Sequence, residues 1–100
     1  MVTVLSIDLI VSDPNLRHGR LIIGGTGIRV QDIVAYYLFD RQTPEELAAG
    51  FRLSMAQVHA ALTYYFLHKE EIDSYFRQDS TEAKQLLEEM RRQGKVIDVD

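Results

Sequence analysis

Polar and apolar positions change rhythm along the chain. From Leu5 to Val11 the odd positions Leu5, Ile7, Leu9 and Val11 are apolar, with Ser6 and Asp8 polar between them. That alternation predicts a half-buried strand. Asp13-Pro14-Asn15 signals a turn, because proline pre-sets the backbone angle such a corner needs. Leu21-Ile22-Ile23 predicts a second short strand, ended by Gly24-Gly25. Two strands are marginal alone in water, so they are expected to lie on helices or to pair with a second copy of the chain.

The period then becomes helical. Ile33, Val34, Tyr37 and Leu38 predict a helix over about 30–39, with Asp32 near its positive end. Thr43, Pro44 and Glu46 together predict the start of the next helix as cap, first-turn proline and capping box. Gly50 is expected to stop it in a left-handed turn after about two turns. Ser54 and Gln57 repeat the capping box for a third helix, flanked by Leu53 and Val58 as a hydrophobic staple. Two helices joined by Gly50-Phe51-Arg52-Leu53 have the layout of a helix-turn-helix. Glu70, Glu71 and Asp73 are read as a solvated acidic stretch. A last helix is then expected from Asp79 or Ser80, with Ala83, Leu86, Leu87 and Met90 as an apolar stripe and Gly94 as its end. The tail from Lys95 to Asp100 is expected to fray or to pair as a strand.

The resulting fold class is mainly α: a homeodomain-like trihelical core, a short two-stranded β element before it and an extra C-terminal helix. One hundred residues make one domain. It divides into a β arm with a glycine motif (1–29), the helix-turn-helix core (30–78), and the last helix with its tail (79–100).

On the third helix, Met55, Val58, Ala61, Leu62 and Tyr65 share the side expected to face the core. Ala56, Ala60, Thr63, Tyr64 and Leu67 lie on the other. Small residues there suit close approach to a DNA major groove, with Thr63 able to meet a thymine methyl or a phosphate. Tyr64 and Leu67 suit a protein partner equally well, and both readings stay open. Arg52, His59 and Thr63 are the candidate DNA contacts, with Arg29 as a further one. Tyr64, Leu67, Leu86, Leu87 and Met90 are the candidate partner interface.

Charge and composition narrow the chemistry. The net charge is −4, with five bases and six acids in residues 1–60 and six bases and nine acids in residues 61–100. Clustered cations are what phosphate binding needs, and this chain has few. It has no cysteine, so disulfides, thiol catalysis and sulfur-ligated zinc are excluded, and a reducing cytoplasm is the expected location. No signal peptide or membrane span is expected, since Ser6, Asp8 and Ser12 interrupt the N-terminal apolar run. His59 and His68 are nine residues apart, on opposite sides of a helix, and His18 stands alone, so no metal is expected. The run Gly19 to Thr26 imitates a phosphate-binding loop, but Gly25 stands where the lysine belongs. No cofactor and no catalytic residue are expected, and the chain is read as a binding protein, not an enzyme.

Ser12-Asp13-Pro14 through Gly19, Ile23, Gly25-Thr26, Ile28 and Val30 resembles the small bacterial family called domain of unknown function 433, with its "GGKPVIRGTRIPV" motif before a trihelical domain. Thr43 to Leu47 resembles its "SPEEI" element, and Ser54 to Tyr65 its "T-x-x-x-V-x-A-A-L-x-Y" helix. The resemblance covers roughly residues 7 to 75. It implies a homeodomain-like helix-turn-helix and an antitoxin-like role: homodimeric, DNA-binding and autoregulatory, with a small nuclease-like toxin as partner. A protein-interaction or dimerisation module of the same fold without DNA binding is the alternative. Leu21 and Arg29 stand where the motif has prolines, and Gly24 and Gly27 where it has arginines. Arg20 and Arg29 are the residues able to compensate.

Overall fold

A computed structural model describes residues 1–92, apart from the side chains of Leu87 and Met90. Gly94 and the tail from Lys95 lie outside the described residues. The chain divides into two compact units, residues 1–69 and the segment from Glu70 onward.

The first unit begins with a two-stranded antiparallel sheet, β1 (Ile10–Ser12) and β2 (Leu21–Ile23), with Ile10 opposite Ile23 and Ser12 opposite Leu21. The Asp13 turn forms as expected: its Oδ1 accepts from Asn15 N at 2.9 Å and its carbonyl from Leu16 N at 3.0 Å. The first strand is much shorter than the alternation predicted. Residues 1–9 belong to no regular element, because β2 ends at Ile23 and Gly25 turns away with φ +78°. The last bond between the two segments is Gly24 N to Leu9 O, 2.8 Å. Beyond it the strand-patterned residues have nothing to pair with among the described residues.

The glycine motif is a structural loop. Thr26 Oγ1 donates to Ile23 O at 2.7 Å and accepts from Ile28 N at 3.1 Å, while Ile23 N donates to Ile28 O at 3.0 Å. One hydroxyl thus closes the corner that leads into α1 (Val30–Leu38).

Helices α2 (Pro44–Phe51) and α3 (Met55–Leu67) begin with the predicted reciprocal caps. Thr43 Oγ1 accepts from Glu46 N at 3.1 Å, and Glu46 Oε1 accepts from Thr43 N at 3.1 Å. Ser54 and Gln57 repeat this at 3.1 and 2.8 Å. The turn between them differs from expectation. Gly50 stays helical, and the left-handed residue is Arg52, at φ 58° and ψ 45°. Leu53 N then donates to Ala48 O at 2.9 Å, closing the last turn of α2.

An arginine in that conformation is strained by its Cβ, and glycine is not. Arg52→Gly is therefore expected to stabilise the protein by about 1 kcal/mol. The urea midpoint should rise at unchanged slope. A lower midpoint would show that the Arg52 side chain itself holds the corner.

The core of this unit gathers Ile22 and Ile23 of β2, Val30, Ile33 and Val34 of α1, Leu47 of α2, Leu53, and Val58, Ala61, Leu62 and Tyr65 of α3, all buried. Helix α1 packs chiefly on α3. Tyr36 and Phe51 join α1 to α2 edge-to-face, with ring centroids 5.6 Å apart. Met55, expected in the core, is exposed in the first turn of α3.

The remaining helix, α4, runs without a break from Lys69 to Arg92. The expected acidic stretch and the cap at Asp79 or Ser80 are therefore interior helix, and the boundary at 78/79 falls inside α4. No glycine or proline interrupts this span. Thr81 Oγ1 returns its bond to Arg77 O at 3.0 Å, and Ser74 Oγ bonds Glu71 O within its own turn. Glu70 and Glu71 at the start, with Arg91 and Arg92 at the end, suit the helix dipole.

Candidate functional site

The outer face of α3 is not a bare surface. Ala56, His59, Ala60, Thr63, Tyr64 and Leu67 form one wall of a groove of about 670 Å³, and Leu5, Ile7, Asp8, Leu9 and Ile10 form the other. The α3 residues fall at three- and four-residue spacing, which puts them on one side of a helix. Ala56 and Ala60 leave space; the larger side chains border it. Tyr64 is held in place by His68, whose ring stacks on it with centroids 4.2 Å apart and 18° between planes. His68 Nδ1 also lies 3.2 Å from Tyr64 O. Leu67 is 74% exposed at the end of the groove.

Among the described residues the lining contains no lysine or arginine, and it contains the acidic residue Asp8. A DNA backbone brings closely spaced negative charge, which cations must neutralise. This wall would add to the repulsion. An apolar trough with small residues at its base and a few polar groups at its edge instead suits a protein segment.

The structure thus brings Thr63, Tyr64 and Leu67 together, as the helical wheel implied, and adds His59 to the same groove. Arg52 is exposed in the turn before α3, outside the groove lining. Arg29 is committed elsewhere: Nε and Nη2 grip the two Asp32 carboxylate oxygens at 3.1 and 2.9 Å, at the start of α1. Arg17 approaches the same carboxylate at 3.9 Å. Arg20 is tied to buried Gln31, with Nη1 to Oε1 at 2.6 Å. Arg29 therefore braces the first turn of α1 and Arg20 ties the start of β2 to α1, and neither lines the groove. Leu86 is exposed on α4; the side chains of Leu87 and Met90 lie outside the described residues.

The N-terminal wall is what the sequence reading missed. Leu5, Ile7 and Leu9 stood out only as a strand pattern, and no local signal places them opposite α3. Among the described residues no group of three or more His, Asp or Glu side chains could hold a metal. No helix among the described residues is long and apolar enough to cross a membrane.

A family model described as protein of unknown function (DUF433) matches residues 10–65, more than half of the chain. The chain belongs to this family. The match runs from the first residue of β1 to Tyr65, so it covers the sheet, the glycine loop and the helix-turn-helix. Leu5, Ile7, Asp8, Leu9 and Leu67 of the groove and the whole of α4 lie outside the DUF433 match. Neither the curated proteins nor the solved structures contain a match to this chain.

Proposed function

We propose that this DUF433 protein is a cytoplasmic, antitoxin-like module whose α3 face grips a protein partner and not a DNA groove. The observation that carries this reading is the groove itself. The helix face that would enter the major groove is walled by Leu5, Ile7, Asp8 and Leu9, and among the described residues no lysine or arginine lines it. A small nuclease-like toxin is the class of partner that the family resemblance implies. No catalytic role is proposed.

The test is co-expression with the protein encoded beside this chain. Co-purification is expected, and Thr63→Asp with Leu67→Asp should weaken it by about thirtyfold, the effect of losing a central contact. Both residues are exposed, so folding should survive. Arg52→Ala should leave the affinity unchanged. A DNA-reading role is favoured by one observation, the doubly capped corner with Arg52 exposed before α3. If the chain shifts its own upstream DNA with steep salt dependence, and Arg52→Ala removes that shift, the DNA reading replaces ours.

A further inference from the structure

Residues 1–9 have the sequence of a strand, but the monomer pairs almost none of it. Val2, Val4, Leu5 and Ile7 are 89%, 87%, 85% and 82% exposed. An apolar edge of this length invites pairing with another chain, and stable proteins cover or blunt it. Here only Asp8 carries a side-chain charge, and no proline interrupts residues 1–12.

The bond from Gly24 N to Leu9 O sets the orientation of the backbone. In a strand, successive residues turn their N–H and C=O groups to opposite edges. Continued as a strand, the odd positions of this segment face β2 and the even positions face outward. Among the described residues β1 has no neighbour on its outer edge, since the sheet contains β1 and β2 alone.

We propose that two copies of this chain dimerise by antiparallel pairing of residues 3–11, with the two-fold axis at Ile7. This joins the two β1–β2 hairpins into one continuous sheet. It goes beyond the groove reading and stands whether or not the groove takes a foreign partner.

The register follows from matching the side chains. With the axis at Ile7, Leu5 lies opposite Leu9 of the other copy, Val4 opposite Ile10 and Ile7 opposite itself. Ser6 lies opposite Asp8, so each carboxylate meets a hydroxyl donor and the two acids stay apart. Moving the axis to Ser6 sets Asp8 against Val4; moving it to Asp8 sets the two carboxylates face to face, which is destabilising. The axis at Ile7 also makes Ser6 and Asp8 a hydrogen-bonded pair, as the outward-facing even positions require. The Ile7 residues then form a non-hydrogen-bonded pair, with Cα atoms about 4.5 Å apart.

That geometry can be read by crosslinking, because the chain has no cysteine of its own. Disulfides need Cα atoms about 4.4–6.8 Å apart. Ile7→Cys should therefore form a covalent dimer on mild oxidation. Leu5→Cys should not, since the two Leu5 positions would be about 14 Å apart along the strand. Mixing Leu5→Cys with Leu9→Cys should restore the crosslink. Sedimentation velocity of the unmodified chain should give a dimer. Ser6→Asp should shift it toward monomer by opposing two acids, and Ser6→Asp with Asp8→Lys should restore the dimer. A monomer at all concentrations overturns the proposal. So does Leu5→Cys crosslinking with itself as readily as Ile7→Cys.

Discussion

Replacing Ile33 by alanine will cost about 2–5 kcal/mol of stability, the range for removing a fully buried branched side chain. Ile33 has no exposed surface and sits on α1, the helix that packs most extensively on α3. Its neighbours Val30 and Val34 are equally buried, so the surroundings are rigid secondary structure with little freedom to collapse into the gap. A single domain of this size has a total stability of about 5–15 kcal/mol. The loss is therefore a large fraction of the whole. Urea unfolding followed by circular dichroism measures it as a lower midpoint at constant slope. A change below about 1 kcal/mol would mean that α1 is not the element on which this core is built.

Why could this core be read from sequence when the groove could not? The caps are local devices. Thr43 with Glu46, and Ser54 with Gln57, each complete a bonding pattern within four residues, so spacing alone reveals them. The buried side of α3 follows from helical period, and Val58, Ala61, Leu62 and Tyr65 are indeed buried. Met55 departs because it lies in the first turn of its helix, where a side chain can face solvent while still sharing the apolar side. Gly50 and Arg52 show a different limit. Glycine is the usual residue for a left-handed stop, yet the helix continues through Gly50 and Phe51 to leave Arg52 in that conformation. Phe51 has a partner in Tyr36 on α1, a contact distant in sequence that favours carrying the helix one turn position further.

The strand and the last helix miss for opposite reasons. Alternation predicts a strand over residues 5–11, but a strand exists only where a neighbour offers hydrogen bonds, and β2 stops at Ile23, so only Ile10–Ser12 forms one. Pattern reports capacity; pairing decides extent. For α4, the polar run around Glu70 and the cap signal at Asp79 or Ser80 read as a break. With no glycine or proline present, the hydroxyl of Thr81 bonds back to its own helix and the span stays continuous. The N-terminal wall of the groove is the hardest part. It depends on Leu5, Ile7 and Leu9 meeting α3 across some fifty residues of chain, and nothing local encodes that.

The second large effect falls on the helix-turn-helix itself. Leu47 is the one fully buried side chain of α2, and an eight-residue helix is too short to persist in water without tertiary support. Leu47→Ala is therefore expected to cost about 2–5 kcal/mol, and to do so unevenly. Amide exchange should accelerate most within Pro44–Phe51, ahead of α1 and α3, whose own buried residues remain. Thr43→Ala removes only one cap and should cost about 1 kcal/mol, a useful reference for how much of α2 depends on packing. Because Arg52 follows directly on α2, loosening this helix also releases the corner that sets α3 in place. If α2 keeps its exchange protection in the Leu47→Ala protein, then Tyr36 against Phe51 and the Thr43–Glu46 box suffice to hold it, and the packing account of this helix fails.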